Sequence, residues 1–174
     1  AAAEAAGHVF HAGGVERFDG DRSFDLILLL NLIEHVADPA GVLCKMRDAL
    51  SDRGRLVVQT PNTDTLDCRL FRDRSWAGFH CPRHWVLFTR PSFLALAERC
   101  GLRCEQARYV QGGYQWAASI LASLAEKGLV RVSAEHPVDA HPAFFALAGA
   151  MAGIDMLRAP FAPTAQMMFT LARA

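Results

Sequence analysis

A continuous apolar run, Phe24–Leu30, is the feature of this sequence that most constrains its fold. After Asp25 the run reads Leu-Ile-Leu-Leu-Leu, with no alternation between apolar and polar residues. A strand covered by helices on both faces has this pattern, and such strands belong to parallel α/β sheets. We therefore predict that Phe24–Leu30 is a central strand of a parallel sheet.

The segments after this run alternate between helical and extended patterns. Asp38-Pro39 predicts a helix start, because Asp is a good N-cap and Pro fits the first helical turn. A turn at Ser51–Gly54 then separates this helix from a strand over Arg55–Thr60. Further helices are predicted over Pro91–Cys100, Gln115–Lys127 and Ala143–Leu157, and further strands over Leu102–Val110 and Gln166–Ala172. The fold class is therefore α/β, a doubly wound sheet in a single domain over residues 1–174.

The first residues predict two short elements. Ala1–Ala6 reads as the last turns of a helix that ends at Gly7, because glycine is the usual helix stop. His8–His11 reads as a short strand, closed by the pair Gly13-Gly14.

Charge and cysteine content limit the classes of partner and compartment. Eighteen basic and eighteen acidic residues cancel, and Lys and Arg form no run. These features favour a small-molecule partner and argue against nucleic acid. Five unevenly spaced cysteines indicate reduced thiols in a cytoplasmic protein. No apolar segment reaches the roughly 20 residues of a membrane span. The apolar fraction of 52% is slightly high for a globular domain, which is compatible with a homodimer.

Candidate site residues follow the predicted strands, because ligands in open α/β sheets bind beyond the carboxyl ends of the strands. The first segment is Gly14-Val15-Glu16, and the second runs from Asn31 to Val36. The third is Thr60-Pro61-Asn62 with residues 63–89 behind it. That last stretch is polar, aromatic and too long for a simple connection, so we interpret it as a functional loop.

Several short motifs together resemble those of a known family, the class I S-adenosyl-L-methionine-dependent methyltransferases. The branch that contains ubiquinone-biosynthesis O-methyltransferases is the most similar. The resemblance covers about Val9 to Leu102, and the motifs that carry it are Phe24–Ile27, Leu32–Val36 with Asp38-Pro39, Leu50–Leu56, Thr60–Asn62, and Pro82–His84 with Phe88. It implies a Rossmann-like sheet of seven strands with the seventh antiparallel. It also implies methyl transfer to a small-molecule, glycan or lipid-linked acceptor.

The resemblance also implies which residues contact the cofactor, S-adenosyl-L-methionine. Val15 would pack on the adenine with Gly14 and Glu16 beside it, and Asn31 would lie near the methionine end. The family's glycine-rich turn and ribose-binding acid would precede Ala1, so the sheet is expected to be incomplete at its N-terminus. Two alternatives remain: Gly13-Gly14 is only a turn, and the chain is a non-catalytic fragment or interaction module.

Methyl transfer to a hydroxyl or amine needs a base, and imidazole suits that role near neutral pH. His35 is the first candidate, with Glu34 as its orienting partner. His84, from the long loop, is the second. The alternative interpretations are that Glu34 and His35 cap a helix and that His84 is only hydrogen-bonded within a pinned loop.

We predict no metal site. Glu34 and His35 could ligate a divalent ion, but Asn31 stands where another acid would strengthen such a site. A second set matches no common zinc spacing: His80, Cys81, His84, Cys100 and Cys104. Residues 111–165 are predicted to form a helical lid or insertion before the last strand. Within them, the apolar segment Ala143–Phe161 reads as core packing, a lid for an apolar acceptor, or an interfacial helix.

Overall fold

The computed structural model describes residues 2–10, 12–18, 23–73, 75–133 and 135–174. Its strands are β1 (Phe24–Leu30), β2 (Leu50–Pro61), β3 (Leu102–Val110) and β4 (Gln166–Arg173). Its α-helices are α1 (Ala2–Ala5), α2 (Pro39–Asp48), α3 (Leu66–Phe71), α4 (Arg90–Arg99), α5 (Gly113–Glu126) and α6 (Phe144–Arg158). Short 3-10 turns lie at Val15–Arg17, Ile33–His35, Ala77–Phe79 and Val138–Ala140.

The four strands form one mixed sheet in the order β1-β2-β4-β3. β1 and β2 are parallel, and β4 runs antiparallel to both β2 and β3. This arrangement confirms the α/β class. It also agrees with the antiparallel last strand that the family resemblance implies.

Helix α2 connects β1 to β2 as its sequence predicts. Asp38 is the N-cap: its side-chain oxygen accepts a hydrogen bond from the backbone N–H of Gly41 at 2.9 Å. The helix buries Val42, Leu43 and Met46 in the main core beneath the sheet.

The main core also receives α4 and the central strand β4. Thr89 caps α4 in a reciprocal arrangement with Ser92. Phe93 of α4 is buried and stacks on Phe169 of β4 with ring centroids 4.3 Å apart. Burying a side chain of this size stabilises the fold by roughly 1.5–3 kcal/mol.

A smaller core joins α5 to α6 at the side of the sheet. A Cβ atom at Gly113 would lie 2.2 Å from the carbonyl oxygen of Ala148, so this close approach of the two helices requires glycine. Asp155 of α6 is fully buried and accepts hydrogen bonds from the backbone N–H of Gly112 and the indole N–H of Trp116.

Three sequence predictions are corrected. β1 is an edge strand of the described sheet, not a central one, and Leu26, Leu28 and Leu30 are about half exposed because no described element covers their face. β2 already begins at Leu50, so the predicted turn at Ser51–Gly54 lies in the strand. The predicted short strand over His8–His11 is also wrong, because residues 8–10 are irregular. His11 and Ala1 lie outside the described residues.

None of the helices in the part of the chain that the structure describes has the length and apolar character needed to cross a bilayer.

Candidate functional site

The carboxyl end of β1 turns sharply at Asn31. Its φ of 51° is left-handed, a conformation that Asn tolerates better than most residues. The Asn31 N–H donates to the carbonyl oxygen of Gln59 at 2.9 Å, which ties the turn to β2. The chain then enters the 3-10 turn Ile33–His35, which places Glu34 and His35 beyond the strand ends.

Glu34 is a buried carboxyl group at the centre of the site, with 1% of its surface exposed. Its Oε2 accepts a hydrogen bond of 3.0 Å from the hydroxyl of Thr60, at the end of β2. Its backbone carbonyl accepts from the N–H of Trp85 at 2.8 Å. Burial raises the pKa of Glu34 above its ordinary value, although its hydrogen bonds oppose this effect. Its other carboxyl oxygen, Oε1, has no hydrogen-bond partner among the described residues.

The rings of His35 and His84 meet edge to face beside Glu34, with centroids 4.7 Å apart. The Nδ1 of His35 lies 3.0 Å from the carbonyl oxygen of Arg83, and the Nδ1 of His84 lies 2.7 Å from that of Gly78. A carbonyl oxygen only accepts hydrogen bonds, so Nδ1 carries the proton in both rings. In the neutral form, each Nε2 is therefore free to accept a proton.

Burial lowers the pKa of each of the two loop histidines, His80 and His84. It lowers the pKa of His84, although the hydrogen bond to Gly78 opposes the shift. Burial also lowers the pKa of His80, helped by the positive charge of Arg83. The lowered pKa favours the neutral form of His84, in which Nε2 can accept a proton.

Glu34, His35 and His84 form one compact group. One carboxylate oxygen and one ring nitrogen from each histidine lie within 4.8 Å of one another. Three ligand atoms at this spacing meet the geometric requirement of a cation site, and a nitrogen-rich set suits transition metals. The sequence did not indicate that His84 joins the other two.

The cysteine and histidine set considered for zinc is not brought together. His80, Cys81 and His84 line one cavity. Cys100 is buried at the end of α4, where its thiol donates to the carbonyl oxygen of Ala40 at 3.5 Å. Cys104 lies on β3.

Part of the long loop after β2 folds over the strand ends and is anchored to α5. Trp76 is buried, and its indole N–H donates to Asp67 at 2.7 Å. The N–H of Ala77 donates to the hydroxyl of Ser119 in α5 at 2.9 Å. The loop is therefore a wall of the site with fixed contacts.

A cavity of about 830 Å³ lies between the strand ends, this wall and α5. The residues that line it include Asn31, Glu34, His35, His84, Tyr114, Gln115, Asp139 and Gln166. Sequence reasoning missed the last four. Gln115 follows β3, so the strand-end rule could have found it. Gln166 begins β4, and it lies at the same edge because β4 is antiparallel to β2.

A second cavity, of about 680 Å³, opens beside β1. Gly14 and Val15 line it together with Leu26 and Leu28. Of the other predicted cofactor contacts, Asn31 lines the first cavity and Glu16 is in the lining of neither. The predicted cofactor residues are thus divided between two neighbouring cavities.

A profile of the methyltransferase-domain family matches residues 3–107, more than half of the 174 residues. The chain belongs to this methyltransferase family. Membership confirms the class I S-adenosyl-L-methionine-dependent methyltransferase domain, and the family implies S-adenosyl-L-methionine as the cofactor. No curated protein matches the sequence significantly.

Solved structures share the Rossmann-like methyltransferase fold at low sequence identity. A SAM-dependent methyltransferase from Thermotoga maritima is 17% identical, with a TM-score of 0.55, over 93% of this chain and 62% of its own. The [4+2]-cyclase SpnF is 13% identical, with a TM-score of 0.58, over 99% and 60%. A candidate sarcosine dimethylglycine methyltransferase from Galdieria sulphuraria is 15% identical, with a TM-score of 0.52, over 98% and 62%. The chain therefore spans about three fifths of these proteins.

Proposed function

We propose that the protein is a SAM-dependent methyltransferase acting on a small-molecule, glycan or lipid-linked acceptor. The observation that carries this proposal is the Glu34–His35–His84 group on a large cavity, within a chain of the methyltransferase family. Because the sequence motifs resemble the ubiquinone-type branch, phenolic hydroxyls are the acceptor groups to test first. Five free thiols fit the cytoplasmic location that the sequence predicts.

For the cofactor, we propose the cavity beside β1. Val15 would pack on the adenine, Gly14 would let the cofactor approach the backbone, and Glu16 would lie next to Gly14. Asn31 would face the methionine end from the neighbouring cavity. The volume of about 680 Å³ supports this assignment, because it lies in the range of small-molecule sites. The bound cofactor would supply an electrophilic methyl group on a sulfonium.

The open face of β1 supports a further part of the proposal. Leu26, Leu28 and Leu30 form an exposed apolar row on a strand with one unpaired edge among the described residues. We propose that further parallel strands, from a segment outside these 174 residues, pair with the free edge of β1 and extend the sheet toward seven strands. The helices that connect those strands would pack over the apolar row and enclose the cofactor cavity beside it. Those strands would carry the glycine-rich turn and the ribose-binding acid. A charge-assisted hydrogen bond is worth roughly 1.5–3 kcal/mol, so cofactor affinity should be much weaker without that acid.

For the transfer step, we propose that the acceptor lies in the larger cavity and loses its proton to Nε2 of His84 or His35. The arrangement supports this role because both rings are held by their Nδ1 atoms and present Nε2. Glu34 would act as a positioning residue, fixed by Thr60, and not as the proton acceptor. Residues 111–165 would form the lid over the acceptor, because α5 supplies part of the wall.

Calorimetric titration of S-adenosylhomocysteine into the chain tests the cofactor assignment. We expect weak, saturable binding that Val15→Asp abolishes. Val9→Asp introduces the same charge at an exposed valine that is not in the lining of the cavity beside β1, and it is the control. Because Val15 is half-buried against the main core, circular dichroism of the Val15→Asp chain establishes that it is folded. If the folded chain does not bind, the cofactor site needs the additional strands. If a longer polypeptide carrying those strands also fails to bind, the non-catalytic interaction module becomes the better explanation.

A further inference from the structure

Helix α6 presents an entirely apolar face to solvent. Phe145 and Leu157 are each 78% exposed, and Met156 is 68% exposed. Every exposed position of the helix is apolar: Phe145, Ala146, Gly149, Ala150, Gly153, Ile154, Met156 and Leu157. Large exposed apolar patches normally mark interaction sites, so this face lacks a partner in the isolated chain.

The opposite face of α6 already has its partners. Phe144 is buried in the small core against α5. Asp155 is fully buried and pairs with Arg158, its Oδ1 lying 3.3 Å from the guanidinium. The exposed apolar residues therefore lie on the side of α6 that points away from the small core.

Four outward residues form a size pattern that is symmetric along the helix. Phe145, Gly149, Gly153 and Leu157 recur every four residues, so they lie along one ridge of the helix surface. The order of their sizes is large, small, small, large. A Cβ atom at Gly149 or Gly153 would meet no atom of the chain within 4 Å, so the centre of the ridge is open.

We propose that this ridge is the interface with a second copy of the chain, formed by two α6 helices that cross antiparallel about a two-fold axis. In that arrangement Gly149 of each copy faces Gly153 of the other, and the backbones approach closely at the crossing. Phe145 of each copy faces Leu157 of the other at the two ends. Because the pattern is the same in both directions, one surface fits itself, as a two-fold interface requires.

The exposed area reaches what a small specific interface needs. The large apolar side chains exposed on α6 are Phe145, Ile154, Met156 and Leu157, with exposed fractions between 45% and 78%. At about 200 Å² for a complete side chain, they present roughly 540 Å² per copy. A specific protein interface buries at least about 1,000 Å² in total, or about 500 Å² per partner.

The uncharged surface of α6 favours a second copy over a lipid surface as its partner. The exposed positions of α6 carry no charge, and Arg158 is already paired with Asp155. An interfacial membrane helix would carry Lys or Arg along its polar face. Two uncharged ridges meet without repulsion.

Sedimentation velocity of the purified chain over a range of concentrations tests the interface. We expect a reversible dimer, and we expect Leu157→Lys or Gly149→Leu to raise its dissociation constant at least tenfold. Leu70→Lys, which changes a leucine of α3 that is 61% exposed, is the matched control and should leave the dimer intact. Circular dichroism of each variant establishes that it is folded.

Either of two experiments can overturn the inference. The first is sedimentation velocity, if the wild-type chain stays monomeric at every concentration or if both α6 variants leave the dimer unchanged. The second is cosedimentation of the wild type with phosphatidylglycerol vesicles that Leu157→Lys abolishes, which would assign the ridge to a lipid surface. Neither measurement uses the cofactor, so both are independent of the proposed methyl transfer.

Discussion

The hydroxyl of Thr60 donates a hydrogen bond of 3.0 Å to Oε2 of Glu34, and both residues are almost completely buried. Thr60 lies at the end of β2, and Glu34 lies in the turn that follows the neighbouring parallel strand β1. This single contact therefore links the carboxyl end of β2 to the turn that follows β1, and it holds the carboxyl group beside the two histidines.

Thr60→Val should destabilise the protein, because it leaves Oε2 of Glu34 buried without its donor. Loss of a buried hydrogen-bond partner costs about 1–3 kcal/mol, so urea unfolding should show a decrease of this size. Thr60→Ser keeps the hydroxyl and is the control. Equal stability of the Val and Ser variants would mean that the bond contributes nothing.

Ser119→Ala should loosen the loop wall over the cavity. The change removes the acceptor for the N–H of Ala77, at a cost of about 1–3 kcal/mol. Hydrogen exchange at Ala77 should accelerate more than exchange in the β2 core. Ser123→Ala, one turn further along α5, is the matched control, and an identical exchange pattern in both variants would contradict the anchoring role.

Asp155→Asn should change how stability depends on pH. Burial raises the pKa of Asp155 above its ordinary value, so the native protein keeps a proton that the unfolded chain has already released. The contribution of Asp155 to the unfolding free energy should therefore fall as the pH rises from about 4, the unfolded pKa of Asp, through the native pKa, and then become constant. The difference in unfolding free energy between the variant and the wild type, measured across this window, should grow in favour of Asn. A difference that stays constant or changes in the other direction would contradict the raised pKa.

His84→Gln should reduce the rate of methyl transfer in the complete enzyme by about 10²–10⁴-fold, the usual contribution of a general base. Affinity for S-adenosylhomocysteine should stay unchanged, because His84 lines the larger cavity, where we propose that the acceptor binds, and not the cavity beside β1. His136→Gln, at an exposed position, is the control. The same series with His35→Gln identifies which ring accepts the proton, and full activity in both variants would rule out both.

Leu28→Asp tests whether further strands and their connecting helices complete the sheet and cover the open face of β1. In this chain Leu28 is 53% exposed, so the change should alter the unfolding free energy by only about 0.5 kcal/mol, as at an ordinary surface position. In a longer polypeptide with a complete sheet, the same change would bury an unpaired charge and should cost several kcal/mol. Leu70→Asp is the surface control in both proteins. Equal small effects in the two proteins would mean that the face of β1 stays open.

The sequence predicted most elements because their signals are local. The bounds of β1 and β3 agree with the predicted strands, and α2 begins at its Asp-Pro cap. The start of β2 was wrong because Gly54 suggests a turn, whereas it lies beside the backbone of Phe24, where a Cβ atom would approach the carbonyl oxygen to 2.6 Å. That close approach depends on strand pairing and has no local signal.

The candidate site was predictable only in part. The strand-end rule indicates Asn31, Glu34 and His35, since each follows a recognisable strand. It does not reveal that the ring of His84 meets His35 after the long loop returns, or that Gln166 reaches the same cavity. Those placements depend on loop closure and on the antiparallel direction of β4, which are properties of the whole sheet.

The position of β4 has a consequence for the order in which the molecule assembles. It is the last strand in the sequence, yet it lies between β2 and β3 and supplies all the pairing that β3 makes in the described sheet. During synthesis, β3 cannot join the sheet until residues 166–173 have been made. Until then, β2 has an unpaired edge and β3 has no partner in the described sheet. Unpaired strand edges favour aggregation in partly folded chains. We infer that the described sheet is completed only when β4, the last of its strands to be synthesised, pairs with β2 and β3.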